Sequence, residues 1–431
     1  MPSEAPDAAL PIDPATLAPP LPGFLAPGTV VRVSADAAGV EGNADSSDPA
    51  LSGAGRLVAF GSRADNLVPG DANGAEDVFV KDLRTGAVTL ASADADGAQG
   101  GARSLYPSLS ANGRYVAFDR LPSPAAPPGP DARAAVFVKD LRTGGLQLAS
   151  AAADGTPGDG DSTGVPSLSA NGRRVAFSSQ AANLVPGDAN DTTDVFVKTL
   201  RTGAVALASA DAAGAPGNNY SEQPALSADG LHVAFGSRAT NLLPGDTHGV
   251  EQVFVKDLST SAVAAASADA AGAWGNDASL NASISADGRF VAFGSYASTL
   301  VPGDANGTED VFVKDMQTGA VTLASADAAG HPAGGFSGAP ALSPNGRFVV
   351  FESTAANLVP GAGGGHADLF LRDLWTGGIS LVAANPPPGP RQGISFTRSA
   401  VSDTGTVAFA SRSGDLVPGD ANGVSDVFLA G

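Results

Sequence analysis

Apolar residues in this chain come in short bursts separated by polar turns, and the bursts repeat. Val58, Ala59 and Phe60 return as Val116, Ala117 and Phe118, then from Val175, Val233, Val291 and Val407, and as Val349, Val350 and Phe351 in the sixth copy, so the Phe recurs at steps of 58, 59, 58, 58, 58 and 58 residues. Seven copies of one unit at a fixed period decide the architecture before any local feature does. A single unit cannot bury its own apolar faces, so neighbours must cover them.

The unit is clearest over residues 284–327, ISADGRFVAFGSYASTLVPGDANGTEDVFVKDMQTGAVTLASAD. It predicts four strands. An inner strand runs into a Ser-Ala-Asp-Gly or Ser-Ala-Asn-Gly turn, and the Phe-bearing strand follows at once, which is hairpin spacing. A longer loop leads to a third strand, where Val78 and Val80 alternate with Phe79 as expected of a sheet covered on both faces. The turn Asp82, Leu83, Arg84, Thr85, Gly86 then reverses the chain into an outer strand.

The chain ends do not match the unit. The seventh copy stops after its third strand, at Asp426, Val427, Phe428 and Leu429, while an unmatched strand, Thr29 to Ser34, stands at the other end. One strand plus six whole units plus three strands makes seven four-stranded sheets. Such a ring, completed by its own first strand, has no unpaired edge at the join. The expected fold is therefore an all-β, seven-bladed β-propeller with four-stranded blades over residues 29–431, closed by an N-terminal strand that completes the last blade. Residues 1–28 are rich in proline, have no periodic apolar face, and read as a flexible arm.

Composition narrows the partners. The net charge of −20, with 24 Lys and Arg, argues against nucleic acid and anionic membrane surfaces. The absence of cysteine excludes disulfides and thiolate chemistry but leaves the compartment open. No apolar run is long enough to span a membrane, and residues 1–28 lack a signal-peptide pattern, so any secretion signal has been removed or never existed.

The segment Leu-Ser-Ala-Asn-Gly-Arg-Tyr-Val-Ala-Phe at 109–118, followed by Val-Phe-Val-Lys-Asp-Leu at 136–141 and Thr143-Gly144, resembles the TolB-like, or WD40-like (PD40-type), propeller repeat of bacteria. The resemblance covers nearly the whole chain. It implies a propeller and an extracellular or periplasmic location, but no activity, since such repeats serve binding scaffolds, peptidase accessory domains and polysaccharide lyases.

Topology places both long connections of every blade on one face, around the central channel, where ligands are expected. Counting back three residues from the apolar residue of each inner strand gives Asp48, Tyr106, Val165, Gln223, Asn281, Ala339 and Arg398; counting back six gives Asp45, Arg103, Ser162, Tyr220, Ala278, Phe336 and Ser395. These positions diverge within a repeating frame. Asp48, Arg103, Tyr106, Tyr220, Gln223, Asn281, Phe336 and Arg398 are the candidate ligand residues, able to stack on and hydrogen-bond a glycan, peptide or protein. Trp274 and Phe396 add aromatic surface to the same links. The bland alternative is that unconstrained loops drift.

The second candidate is the loop Pro-Gly-Asp-x-Asn-Gly-x-x-Asp. Its complete copies are Asp71, Asn73, Asp77; Asp188, Asn190, Asp194; Asp304, Asn306, Asp310; and Asp420, Asn422, Asp426. Oxygen side chains at this spacing can converge on calcium, the candidate cofactor, although the set is short of the oxygens calcium prefers. The loop resembles those of integrin-type repeats but lacks their further Asp-Gly step. Copies with Gly129, Asp131 and Ala135, with Asp246, His248 and Gln252, and with Ala362, Gly364 and Asp368 break the set. The competing reading is a plain turn with an Asp cap and Asn-Gly at positive φ.

Catalysis finds little support. His232, His248, His331 and His366 occupy unrelated places in their copies, and no metalloprotease helix motif or nucleophile elbow occurs. The repeated Lys-Asp pairs, such as Lys81 with Asp82 and Lys314 with Asp315, read as turn caps with exposed charge. The chain thus reads as a monomeric, non-enzymatic binding or protein-interaction propeller. The alternative is a carbohydrate-active lyase or hydrolase with its site at the channel mouth.

Overall fold

The computed structural model describes residues 25, 28–123, 133–245, 249–363, 366–384, 398–420 and 422–431. The expected N-terminal arm lies outside these but for Leu25 and Gly28, as do Gly129, Asp131, Asp246, His248, Gly364, Ser395 and Phe396.

Every described element is a strand, and the strands form seven four-stranded antiparallel sheets. Blade 1 consists of Ser46–Leu51, Leu57–Ser62, Asp77–Asp82 and Val88–Leu90, in that order from the inside outward. Blades 2 to 6 repeat this order over residues 104–148, 167–207, 221–265, 279–323 and 337–383. In blade 7 the outer strand is Val30–Arg32, paired with Asp426–Ala430 through Val30 and Ala430, Val31 and Leu429, and Arg32 and Phe428. The ring is closed as the sequence predicts, and no sheet edge is left open at the join.

The repeated Phe explains the packing. Phe60 lies opposite Phe79 across the second and third strands with ring centroids 5.9 Å apart, and each blade holds a like pair at 5.7–6.2 Å. Apolar clusters join adjacent blades: Val195 and Val197 of blade 3 pack with Val233, Phe235 and Phe254 of blade 4. Burying a ring of this size stabilises by about 2–3 kcal/mol, so the core is spread through the seams between blades. At the tight-turn end, Gly172 has φ of +66° and its missing Cβ makes room for the Tyr115 ring of the preceding blade. A side chain there would strain the turn and clash with the ring.

The Lys of each Lys-Asp pair corrects the sequence expectation. These side chains are buried, not exposed. Lys314 Nζ donates to the carbonyl oxygens of Ala268 at 2.9 Å and Asp269 at 2.8 Å, in the link leaving blade 4. Lys81, Lys139, Lys198 and Lys256 do the same to their preceding links, and Arg372 takes the part in blade 6. Each cation therefore staples its blade to the connection before it. Desolvation lowers the lysine pKa values from the ordinary range. The Asp of the pair does cap the turn: Asp315 accepts from Arg289 Nε at 3.1 Å and from the Gln317 N–H at 2.9 Å.

Candidate functional site at the channel mouth

The inner strands carry the divergent ring, and they carry it in a strained form. In blades 1, 2, 4, 5 and 6 the register of the inner strand slips by one residue, between Ser47 and Ala50 in blade 1 and at the matching place in the others. The residue in each slip has positive φ: Asp48 at 52°, Tyr106 at 53°, Gln223 at 54°, Asn281 at 56° and Ala339 at 49°, with Arg398 at 45° in blade 7. These are β-bulges on an edge strand, followed in four blades by a proline (Pro49, Pro107, Pro224, Pro340) that needs no ladder partner there. Val165 of blade 3 is not among the positive-φ residues, and its inner strand shrinks to Ser167–Leu168. A β-branched residue is the type least able to take the left-handed conformation.

The bulge falls at one position of the inner strand, the strand that borders the channel, in all five of these blades. Farther in, one apolar residue per blade, from Leu51 and Leu109 round to Leu342 and Val401, narrows the channel toward the tight-turn end. A groove of about 420 Å³ between blades 2 and 3 lies at that opposite end, lined by Tyr115, Asp140, Gln147 and Arg173, and none of the divergent positions reaches it.

Arg398, Asp48, Tyr106 and Asp119 come together from blades 7, 1 and 2. Solvent reaches the Arg398 side chain along the channel, yet protein surrounds it, and this desolvation lowers its pKa against the pull of Asp48, Tyr106 and Asp119. Asp48 is 7% exposed, accepts from Ser47 Oγ at 2.8 Å, and has its pKa raised by burial. Asp119 is 1% exposed, and burial raises its pKa well above the carboxylate range; the Gly164 N–H points toward it without completing a hydrogen bond. Tyr106 is 37% exposed, and burial of its hydroxyl raises its pKa.

The remaining candidates have other neighbours. Arg103 donates to Glu76 Oε2 at 2.8 Å, and Arg63 reaches the same oxygen at 3.2 Å. Tyr220 donates to Glu251 Oε2 at 3.3 Å under the Arg238 guanidinium. Gln223 is exposed and Asn281 half-buried. Phe336 is 37% exposed and lies against Glu309 and Gly338. Trp274 instead packs on Phe254, with ring centroids 5.2 Å apart.

The Asp-x-Asn-Gly loops form clasps. Asn190 Nδ2 donates to Asp194 Oδ2 at 2.7 Å and to the Gly217 carbonyl at 2.8 Å, its side-chain carbonyl accepts the Thr192 N–H, and Ser209, just past the outer strand, donates to Asp194 Oδ1 at 2.6 Å. Asn73 with Asp77 and Asn306 with Asp310 repeat the pattern. Asp188, Asp304 and Asp71 stand near enough to these acids to repel them; burial with this repulsion lifts Asp194 and Asp310 to about 6. In blade 7, Arg32 lies 3.7 Å from Asp420, 3.8 Å from Asp426 and 3.4 Å from Glu41, and Asn422 donates to the Gly42 carbonyl at 2.8 Å. Arg32 occupies the register held by Leu90 in blade 1. With Asn190 turned N–H inward, such a loop offers calcium two carboxylates, well short of the roughly six to eight oxygens it takes.

Sequence reasoning did not single out the acids beside the ring: Glu76, Asp119, Glu251, Glu309 and Glu352. A signal was available. Copies with Glu just before the third strand have Gly after the core Phe (Gly61, Gly236, Gly294), whereas Asp119 and Glu352 stand at that Gly position where Ala134 and Ala367 replace the Glu. Histidine takes no part in the ring among the described residues: His232 pairs with Asp229 at 3.8 Å near the tight turns, and His331 with Asp327 at 2.9 Å in a link.

No family model matches the chain, and no curated protein matches it. Solved structures do. An oligogalacturonate lyase in complex with manganese aligns with a TM-score of 0.56 at 14% identity over 93% of this chain and 92% of that one. An oligogalacturonate lyase from Vibrio parahaemolyticus aligns at 0.55 and 11%, over 94% and 98%. The β-propeller domain of the Trilobed protease from Pyrococcus furiosus, described as having an open velcro topology, aligns at 0.52 and 12%, over 90% and 95%. TolB from Acinetobacter baumannii is also similar, at 0.42 and 18%, over 71% of this chain and 59% of that one. The three likenesses above 0.5, with the strand order and the closed ring, show that the chain has the fold of a seven-bladed β-propeller.

Proposed function

We propose that this protein is a binding scaffold that captures a protein, peptide or glycan at the loop-rich mouth of its channel, outside the cytoplasm and without chemical change. The observation that carries the reading is the ring of non-glycine residues at positive φ. Each costs about 1–3 kcal/mol in backbone strain, which glycine would relieve, so side chains at those points are retained for what they present. Asp48, Tyr106, Gln223, Asn281 and Arg398 offer charge, aromatic surface and amides on a rigid wall, as a binding site requires. Changing Tyr106, Tyr220 or Arg398 to Ala should abolish binding in a glycan or peptide array, whereas Trp375→Ala on the tight-turn face should leave it intact. Loss with Trp375→Ala alone would refute the reading.

One observation favours the enzymatic alternative: Arg398, Tyr106 and the strongly desolvated Asp119 converge on one point, which suits a carbohydrate-active lyase or hydrolase with Asp119 as base. Release of unsaturated or reducing ends from a polyuronate panel, lost with Asp119→Asn, would establish it.

Calcium is the cofactor to test at the intact loops of blades 1, 3 and 5. Support comes from blade 7, where the Arg32 cation sits beside both acids of the same motif. Millimolar calcium should raise the melting temperature, and Asp304→Ala should diminish the gain. An unchanged melting temperature would leave the loops as hydrogen-bonded clasps.

A further inference from the structure

Blades 1 and 5 hold the same glutamate in opposite states of charge balance. In blade 1, Glu76 is met by two arginines, Arg63 from three residues past the core Phe and Arg103 from the next link. In blade 5, Glu309 stands at the matching position, and the residues matching Arg63 and Arg103 are Tyr296 and Phe336. The carboxylate is kept; its cations are replaced by aromatic rings.

The surroundings form a cup in the seam between blades 5 and 6. Glu309 is 4% exposed, and its Oε1 finds no hydrogen-bond donor among the described residues. Two glycines make room for it: a Cβ on Gly294 would stand 2.2 Å from Glu309 Oε1, and one on Gly338 would stand 2.9 Å from that oxygen and 2.7 Å from Phe336 Cζ. Tyr296, 45% exposed, reaches the carboxylate with its hydroxyl. Phe336 is 37% exposed on the other side. Burial without a cation raises the Glu309 pKa, with Asp310 adding repulsion.

The position is held across the ring. Blades 1, 2, 4, 5 and 6 each place one carboxylate beside the seam, from the third strand in Glu76, Glu251 and Glu309 and from the second in Asp119 and Glu352. A Cβ on Gly236 would stand 2.5 Å from Glu251 Oε1, so the Glu fills the space from which an acid on the neighbouring strand would start. Asp119 leans toward Gly164, the residue that matches Gly338. Arg398 lies near Asp119 and Arg238 near Glu251, as Arg63 and Arg103 do at Glu76. Among the described residues Glu309 has no such neighbour.

We propose that the cup of Glu309, Tyr296 and Phe336 binds the guanidinium of an arginine side chain on a partner peptide, as Glu76 binds Arg103 within this chain. The assignment rests on the reading of the loop face as the binding face. A guanidinium is the fitting cation because it is planar, forks onto a carboxylate and stacks on aromatic rings, whereas a compact ammonium uses the carboxylate alone. The net charge of −20 favours its approach.

The test uses acetyl-Gly-Arg-Gly-amide and its citrulline counterpart, which keeps the shape without the charge, titrated by saturation-transfer NMR. The arginine peptide should bind with Kd of about a millimolar, as expected of one anchored side chain. Citrulline, or Glu309→Gln in the protein, should weaken binding by about tenfold or more. Phe336→Arg, which installs in blade 5 the residue of blade 1, should block the peptide and raise the melting temperature. Equal binding of the two peptides, or of wild type and Glu309→Gln, overturns the proposal. A random peptide library selected on the wild-type protein separates the cup from the reading beneath it. Binders rich in arginine that fail with Glu309→Gln support the cup. Binders that fail with Tyr106→Ala or Arg398→Ala but ignore Glu309→Gln overturn the cup and keep the loop face; binders that ignore all three and fail with Trp375→Ala overturn both.

Discussion

Two buried side chains show how far local chemistry depends on what the fold wraps around it. Lys314 is held by backbone: it donates to two carbonyls that burial would otherwise leave unsatisfied. Lys314→Ala should therefore cost about 2–3 kcal/mol in urea unfolding, and Lys314→Arg should recover most of it, because Arg372 already does this work in blade 6. A loss below about 0.5 kcal/mol would return the lysine to the exposed class. Glu352 has its pKa pushed up to about 8 by burial. An acid whose folded pKa lies above its unfolded value stabilises fully below the unfolded value, near 4.5, and loses that contribution as the pH climbs through the folded one. Stability should fall between those limits, and Glu352→Gln should flatten the fall by about 2 kcal/mol after allowance for its partial exposure. Parallel pH profiles for the two proteins would count against this.

At the scale of the element, the bulged inner strand ties strain to recognition. Gln223 is exposed and has φ of 54°, so its side chain contributes little packing to offset the strained backbone. Gln223→Gly should raise stability by about 0.5–1 kcal/mol, the strain relieved less the chain entropy glycine adds. The same change should weaken ligand binding. A destabilised Gln223→Gly protein would show that the side chain serves the fold instead.

For the whole molecule, closure is the quantity to perturb. Val30–Arg32 supplies the last edge of blade 7, and Arg32 sits among Glu41, Asp420 and Asp426, whose carboxyl groups lie within 4.8 Å of one another. Removing residues 1–36 should lower the melting temperature and promote aggregation through the uncovered strand Asp426–Ala430, whereas removing residues 1–24 leaves every strand of the ring in place and should not. Equal melting of the two truncations would refute the join. Arg32→Ala should also destabilise, since it leaves three acids facing one another without a cation.

What the sequence determined by itself was the periodic part. Hairpin turns, the alternation around Phe79, the recurring Phe and the unmatched strand at Thr29 are local signals, and seven repeats of them admit one closed arrangement. Tertiary structure decided everything that depends on which side chains meet across a seam. Lys81 lies some 46 residues from the Ala35 carbonyl it staples, and Arg32 lies at the far end of the chain from Asp426. The divergent ring positions were legible because they broke a repeating frame, but their positive φ was not, since Tyr106 and Arg398 are residue types that seldom take it. Glu309 escaped notice for a related reason: its chemistry lies in the absence of a cation that Arg103 provides to Glu76, and only the packing of adjacent blades shows which residues that absence concerns.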